Sequence, residues 1–185
     1  MTPRFPPPPR DRLAMHRSAA TGTARTTGHP ADNEPDDERK EATVSTLFTK
    51  IINGELPGRF IWKDPDVVAF LSIGPLTDGH TLVVPRLEID QWTDAEPDLL
   101  AKLTGVARII GRAQTRAFGS ERAGLMVAGF EVPHLHVHVW PTNSLADFDL
   151  SRADTDPKAA RLDENAEKLR TALREDGHTD TVPAS

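Results

Sequence analysis

The segment His134-Leu135-His136-Val137-His138-Val139-Trp140 alternates polar and apolar residues with a period of two. In a β-strand that spacing puts His134, His136, His138 and Trp140 on one face, and Leu135, Val137 and Val139 on the other. Three imidazoles on an exposed face do little for packing. They bring competing donors and acceptors, and they titrate near neutrality. Solvated surface histidines are the plain reading; two kinds of chemistry compete with it. The first is metal binding. Residues two apart on a strand are about 6.5–7 Å apart at Cα, so two of them can converge on one zinc. The outer pair is about 13–14 Å apart, and a third ligand such as His80 or Glu131 would be required. The second is phosphoryl transfer. A neutral imidazole attacks phosphorus well if one ring nitrogen is free and the other is a held donor, for example to a backbone carbonyl. A flanking histidine then donates a hydrogen bond to phosphate oxygens or to the leaving group. His136, with a neighbour on each side, is the best placed to attack.

These residues need elements to position them. Leu47, Phe48, Ile51 and Ile52 give Thr46–Asn53 one apolar helical face, with Gly54 as a stop. Arg59–Asp64 and Val67–Ser72 flank the turn Asp64-Pro65-Asp66 as a hairpin. Pro75–Gly79 reads as a loop and His80–Pro85 as a third strand. Residues 97–118 are the clearest helix. Pro97 suits its first turn, Leu99, Leu103, Val106, Ile110 and Ala113 make its stripe, and Gly119 suits its end. Ala123–Gly129 and Leu135–Pro141 are the fourth and fifth strands. Ala159–Leu173 has Leu162, Ala166, Leu169 and Leu173 at helical spacing, compatible with a packed or a frayed helix. Adjacent strands with few crossover helices favour an antiparallel α+β domain.

The chain has 185 residues, 37% of them hydrophobic, and a net charge of -6. It lacks the overall basic character that draws in nucleic acid, although a local anion site is compatible with an acidic protein. There is no cysteine, which excludes disulfides, thiolate-bound zinc and a thiol nucleophile, and is compatible with a cytoplasmic location. No apolar run approaches the roughly 20 residues of a membrane helix. Residues 1–43 differ from the rest. They hold seven prolines and few large apolar residues, so they cannot bury enough surface to offset ordering entropy. The segment reads as a disordered tail, in which Pro6–Pro9 could adopt polyproline II. The alternative is a gene-model extension ahead of a true start at Val44.

With those segments in place, the chain resembles the histidine triad (HIT) family. Its signature is His-φ-His-φ-His-φ-φ with φ apolar, matched by His134–Trp140 at every position. Thr46–Asn53, Asp64–Ile73, Gly79–Pro85 and Val132–Pro141 follow the family's order of segments, so the resemblance covers about residues 45–142. It implies a HIT-like fold, a five-stranded antiparallel sheet with two helices, over a domain at 44–145 followed by a tail at 146–185 with a helix. It also implies a homodimer. The expected activity is cleavage of a nucleotidyl phosphoanhydride or phosphoramidate, without a cofactor. His136 would attack the α-phosphate to form a nucleotidyl-histidine, and His138 would contact phosphate or the departing group. His134 would support His136 through hydrogen bonds, and His80 matches a buttressing histidine. Leu47, Phe48, Ile51, Phe70 and Ile73 match an apolar slot for the base.

The sequence departs from the family pattern where substrate is read. Ser72 stands before Ile73, where an acidic residue often binds ribose. The loop Val127–Pro133 is shortened. It carries Gly129, then Phe130 where Gln is usual and Glu131 where Ser or Thr is frequent. A carboxylate near phosphate is repulsive unless protonated or turned away; Glu131 could instead favour an amine leaving group or act on a proton. Thr46 and Thr49 occupy the places of a Cys-x-x-Cys that many relatives use for structural zinc, so no zinc of that type is expected. Trp140 could stack on a base or seal a dimer contact. Two other readings remain: a nucleotide-binding protein of the same fold with little turnover, and a metal-binding β protein.

Overall fold

The computed structural model describes residues 45–184, and the readings made for residues 1–43 lie outside them. Eight principal elements run in order: α1 (Leu47–Ile52), β1 (Phe60–Lys63), β2 (Val67–Leu71), β3 (Thr81–Pro85), α2 (Pro97–Phe118), β4 (Arg122–Met126), β5 (Val137–Thr142) and α3 (Ala159–Glu175). The strands form one five-stranded sheet in the order β1-β2-β3-β5-β4, and every pairing is antiparallel. This is the expected α+β architecture, with α3 as a helix beyond the two anticipated for the domain.

Alternation along the strands sends side chains into two layers. On one face Val67, Ala69, Leu71, Val83, Val137 and Val139 join a core with Leu103, Val106, Ile110 and Ala113 of α2 and Leu169, Ala172 and Leu173 of α3. On the other, Val68, Phe70, Leu82 and Val84 pack under Phe48 of α1. Covered on both sides, β2 and β3 are buried at every position, as strands with two packed faces must be. β5 shares the first core through its valines, so its alternate residues, His138 and Trp140, belong to the face on which α1 sits.

α3 is packed rather than frayed. Leu162, Ala166, Leu169 and Leu173 are buried, at the helical spacing read from the sequence. Strand limits differ from the expectation by one residue at most ends; β4 stops three residues early, at Met126, and two other shifts bear on the histidines. β5 starts at Val137, because the His134 and Leu135 amides donate to Val132 O (2.8 Å) and Ile89 O (2.6 Å) and leave the ladder. β3 starts at Thr81, because the His80 amide donates to Thr77 O (3.2 Å) and closes the preceding turn.

Leu169 has no exposed surface and lies in the core shared by the sheet, α2 and α3. Leu169→Ala is expected to lower unfolding free energy by about 2–5 kcal/mol, the range for deleting a buried leucine side chain. Urea denaturation checks it, with the exposed neighbour Glu164→Ala as the silent control.

Candidate active site

The approach to β5 determines how the histidines sit. Because His134 precedes the ladder, its ring departs from the row that simple alternation predicts. Its Nε2 lies 2.9 Å from Pro85 O and its Nδ1 2.8 Å from Thr46 Oγ1. His136 and His138 stay together, with ring centroids 4.8 Å apart. Nor is the row exposed. His134 and His136 are buried, at 0% and 5% exposure. α1 roofs them: the Phe48 ring meets His136 edge-on at 4.9 Å and His134 at 5.9 Å. Phe48 is in place because Thr46 caps α1, accepting the Thr49 amide at 3.2 Å.

The fixed backbone partners dictate the tautomers. His136 Nδ1 is 2.7 Å from His134 O. A carbonyl only accepts, so Nδ1 carries the proton and Nε2 has a free lone pair. His80 is the reverse. Its Nδ1 accepts the Leu76 amide at 3.1 Å, so its Nε2 carries the proton and donates it to His138 Nδ1 at 3.0 Å. His138 therefore keeps its own proton on Nε2. Two residues apart, at the start of β5, the histidines thus present opposite functions, an acceptor at His136 and a donor at His138. The contact of His80 is with His138, not with His136 or His134.

Burial keeps these rings neutral. It is the largest influence on all four, disfavouring the charged form. His80 is pushed down to about 3, helped by the neighbouring His138 and His136. His138 is pushed down to about 4, helped by His136. His136 is also lowered, although its bond to the His134 carbonyl and the charge of Glu131 oppose the shift. For His134, lowered by burial too, the opposing groups are the Pro85 carbonyl and Glu88.

The loop carrying His80 is held from behind. Gly79 has φ +82, and a β-carbon there would run into the Phe118 ring. Gln114 Nε2 donates to Gly79 O at 2.9 Å, Thr77 Oγ1 donates to Pro141 O at 2.7 Å, and Asp78 accepts from Arg161 and Asn165 of α3 at 2.7 and 2.6 Å. Short-range pattern reading missed these contacts, as it missed the Leu76 amide, Glu88 and the bond from Thr46 to His134. Apart from the loop bonds to His80, each joins distant stretches of chain, and the triad motif gives no signal for them.

The expected substrate residues divide. Phe48 and Phe70 are buried and touch edge-on at 5.6 Å, so Phe70 reaches the histidines only through Phe48. Ile51 and Ser72 are half-buried. The Ser72 hydroxyl accepts from the Gly74 amide at 3.2 Å, and its own amide donates to His80 O at 2.9 Å. Leu47 and Ile73 point largely to solvent, at 46% and 76% exposure, and Phe130 stands out at 96%. Gly129 is half-buried and Glu131 exposed in the same loop. Trp140 is fully buried against His80 and Phe148, at 5.6 and 4.8 Å. It fits because Gly124 faces it; a β-carbon there would come within 2.6 Å of the indole. Trp140 thus packs inside its own chain, with no face open to a base or a second subunit.

Thr46 and Thr49 gather with Glu88 and His134. Glu88 accepts from the Thr49 hydroxyl and, at 3.3 Å, from the Thr46 amide. Neutral hydroxyls do not replace the thiolates of a structural zinc site, so this donor set does not fit that metal.

Comparison with known proteins agrees with this geometry. The family model described as HIT domain matches residues 53–145. An uncharacterized HIT-like protein of Methanocaldococcus jannaschii is 36% identical over 51% of this chain and 77% of its own. A protein of Arabidopsis thaliana named adenylylsulfatase HINT3 is 25% identical over 94% of this chain and 86% of its own. Among solved structures, a zinc-bound histidine triad family protein from Mycobacterium smegmatis superposes with a TM-score of 0.63 at 28% identity, covering 73% of this chain and 97% of that one. With the sheet order, the buried histidine cluster and these likenesses in agreement, the chain belongs to the HIT domain family.

Proposed function

We propose that the protein is a nucleotide hydrolase or transferase that cleaves a nucleotidyl phosphoanhydride or phosphoramidate bond through a covalent nucleotidyl-histidine at His136. One observation carries this reading: the opposite tautomers of His136 and His138, each fixed by its Nδ1 partner. His136 Nε2 attacks the α-phosphorus, and a P–N bond forms as the bond to the leaving group breaks. His138 Nε2–H donates a hydrogen bond to a phosphate oxygen or to the departing atom and keeps its proton, and the departing group takes its proton from solvent. Water then attacks the same phosphorus. The P–N bond opens with its electron pair returning to Nε2, the water's proton passes to solvent, the nucleoside monophosphate departs and the imidazole returns to its starting form. An acceptor other than water gives transfer instead. The step needs no metal. Burial of His136 favours the unprotonated nucleophile.

The base would rest on the apolar surface around Phe48 and Ile51, with Ser72 at its margin. Ser72 offers ribose one neutral hydroxyl, a weaker partner than a carboxylate. The name of the Arabidopsis relative puts a nucleotidyl sulfate among the substrates to test. Nucleotide binding without turnover is the second reading. It is favoured by the loop before the triad, where Phe130 and Glu131 stand in solvent.

The same reading takes the working unit as a homodimer. Among the described residues β4 is an edge strand, and an edge presents outward ladder groups that another strand can pair. Beside it a groove of about 340 Å³ is lined by Gly111, Ala123, Gly124 and Leu125. A cytoplasmic location belongs to this proposal as well.

Three outcomes test these statements. Incubation with nucleoside phosphoramidates, dinucleoside polyphosphates and adenylyl sulfate should release nucleoside monophosphate, and mass spectrometry after rapid quenching should find the nucleotide on His136. His136→Ala should abolish both; product release by His136→Ala would sink the covalent route, and tight nucleotide binding with neither product nor adduct would establish the second reading. Light scattering should give twice the chain mass, and Leu125→Glu on the β4 edge should give the single chain mass.

The third outcome is pH-dependent. His80 and His138 have folded values of about 3 and about 4, below the ordinary 6.5. Between those limits the unfolded chain binds more protons, so stability is full above about 6.5 and is lost as pH falls through that window. Unfolding near pH 5 should take up about two protons from these residues, read by calorimetry in buffers of different ionisation enthalpy.

A further inference from the structure

Behind the histidine pair lies a second layer of oriented hydrogen bonds that the proposed chemistry does not touch. His134 Nε2 faces Pro85 O at 2.9 Å, so that nitrogen carries the ring proton. His134 Nδ1 is then an acceptor, and the Thr46 hydroxyl, 2.8 Å away, donates to it. Thr46 has spent its hydroxyl hydrogen on His134, and its amide goes to Glu88 Oε2 at 3.3 Å. The Thr49 hydroxyl donates to the same carboxylate oxygen. Thr46 Oγ1 also lies 3.4 Å from Glu88 Oε2 and 3.0 Å from Thr49 Oγ1, and Thr49 Oγ1 lies 3.5 Å from His134 Nδ1. The shortest contact to the ring is that of Thr46, so the order runs from Glu88 through Thr46 to His134.

The peptide after that ring is fixed by the same stretch of chain. The Leu135 amide donates to Ile89 O at 2.6 Å. That amide and the His134 carbonyl share one planar peptide group, so holding one aims the other in the opposite direction. The carbonyl thus aimed receives His136 Nδ1–H at 2.7 Å. Glu88 and Ile89, adjacent in sequence, hold the two handles of His134, its ring through Thr46 and its peptide directly.

We propose that Thr46 and Glu88 are positioning residues for His136: through the His134 ring and carbonyl they keep His136 in the form that carries its proton on Nδ1. This rests on the reading of His136 as nucleophile. Once Nε2 bonds to phosphorus the imidazole becomes cationic, and its Nδ1–H bond to the His134 carbonyl strengthens. A correctly aimed carbonyl therefore acts more on the transition state than on bound substrate, and its loss falls on kcat rather than KM. Thr46 and Thr49 stand where the family resemblance implies a Cys-x-x-Cys pair; with this donor set, hydroxyl and carboxylate hydrogen bonds do the holding.

The test uses the full chain with Thr46→Val, which keeps shape and loses the donor, Thr46→Ser, which restores it, and Glu88→Ala on an exposed side chain. Imidazole nitrogen NMR reads the His136 tautomer. Steady-state kinetics on an adenosine phosphoramidate reads kcat and KM. Thr46→Val should lower kcat about tenfold, the low end of the loss known for removing the outer hydrogen-bond partner of a metal-bound histidine, with KM within about twofold. It should also shift the His136 nitrogen signals towards a tautomer mixture. Thr46→Ser should restore both, and Glu88→Ala should move both in the same direction by less. Wild-type kcat and wild-type His136 signals in folded Thr46→Val overturn the proposal. If Thr46→Val does not fold, Glu88→Ala decides by the same two readouts. If the wild-type chain turns over no substrate, the catalytic reading of His136 fails on its own, and the nitrogen signals alone decide whether Thr46 and Glu88 set its tautomer.

Discussion

The bond from His136 Nδ1–H to the His134 carbonyl, at 2.7 Å, is the constraint on which the rest of the site depends. An imidazole in water exchanges its single proton between two nitrogens and offers either to a partner. Here a carbonyl two residues back accepts one nitrogen's proton and leaves the other nitrogen bare. In a regular antiparallel ladder the carbonyls alternate between partner strands and lie in the plane of the sheet. The bond is available because β5 begins only at Val137. The departure of His134 and Leu135 from the sheet is what makes His136 different from His138, two residues further on.

The second difference comes from the opposite side. His138 pairs in register with Leu82 of β3, and it receives the proton of His80, which lies one residue before β3 begins. His80 in turn receives the Leu76 amide from its own turn. A backbone carbonyl makes one ring a donor at Nδ1, and a backbone amide, through an intervening histidine, makes the next an acceptor at Nδ1. Burial leaves all these rings neutral, so neither ring has to lose or gain charge before it can act. The core behind the sheet sustains this arrangement. Gln114 of α2 and Arg161 and Asn165 of α3 hold Gly79 and Asp78 in the loop that carries His80.

Much of this was legible in the sequence, and what was not follows a pattern. All five strands and the helices α1 and α2 follow from local periodicity, because apolar spacing and the glycine stops act within a few residues. The pairing of His136 with a neighbouring backbone carbonyl also follows from the chemistry a nucleophilic imidazole needs. The exposure of the histidine face did not. Alternation says which side a residue faces and nothing about what covers it, and here α1 brings Phe48 down onto the row. The same limit hid the burial of Trp140, which depends on Gly124 across the β4–β5 pair and on Phe148 beyond it. His134 was misjudged for a different reason: the alternating pattern continues through it while the backbone hydrogen bonds do not.

Burial and solvent exposure divide the site into two parts with different physical demands. The part that would handle phosphorus is largely buried and tied to backbone groups, and its residues match the family signature. The part that would read base, sugar and leaving group contains Ile73, Phe130 and Glu131, which stand in solvent in the chain alone. Their energy in a complex must come from ligand or from a second subunit, since their own fold gives them few partners. Phe130 illustrates the point. A large apolar ring at 96% exposure gains by burial about what any phenylalanine gains, roughly 1.5–3 kcal/mol, and nothing among the described residues supplies that burial. An apolar ring and a carboxylate follow one another in this loop, and neither side chain is a donor for a phosphate oxygen. The departures from the family pattern at Phe130 and Glu131 thus gather in an exposed loop, where no packing among the described residues constrains them, while the buried histidines match the family signature.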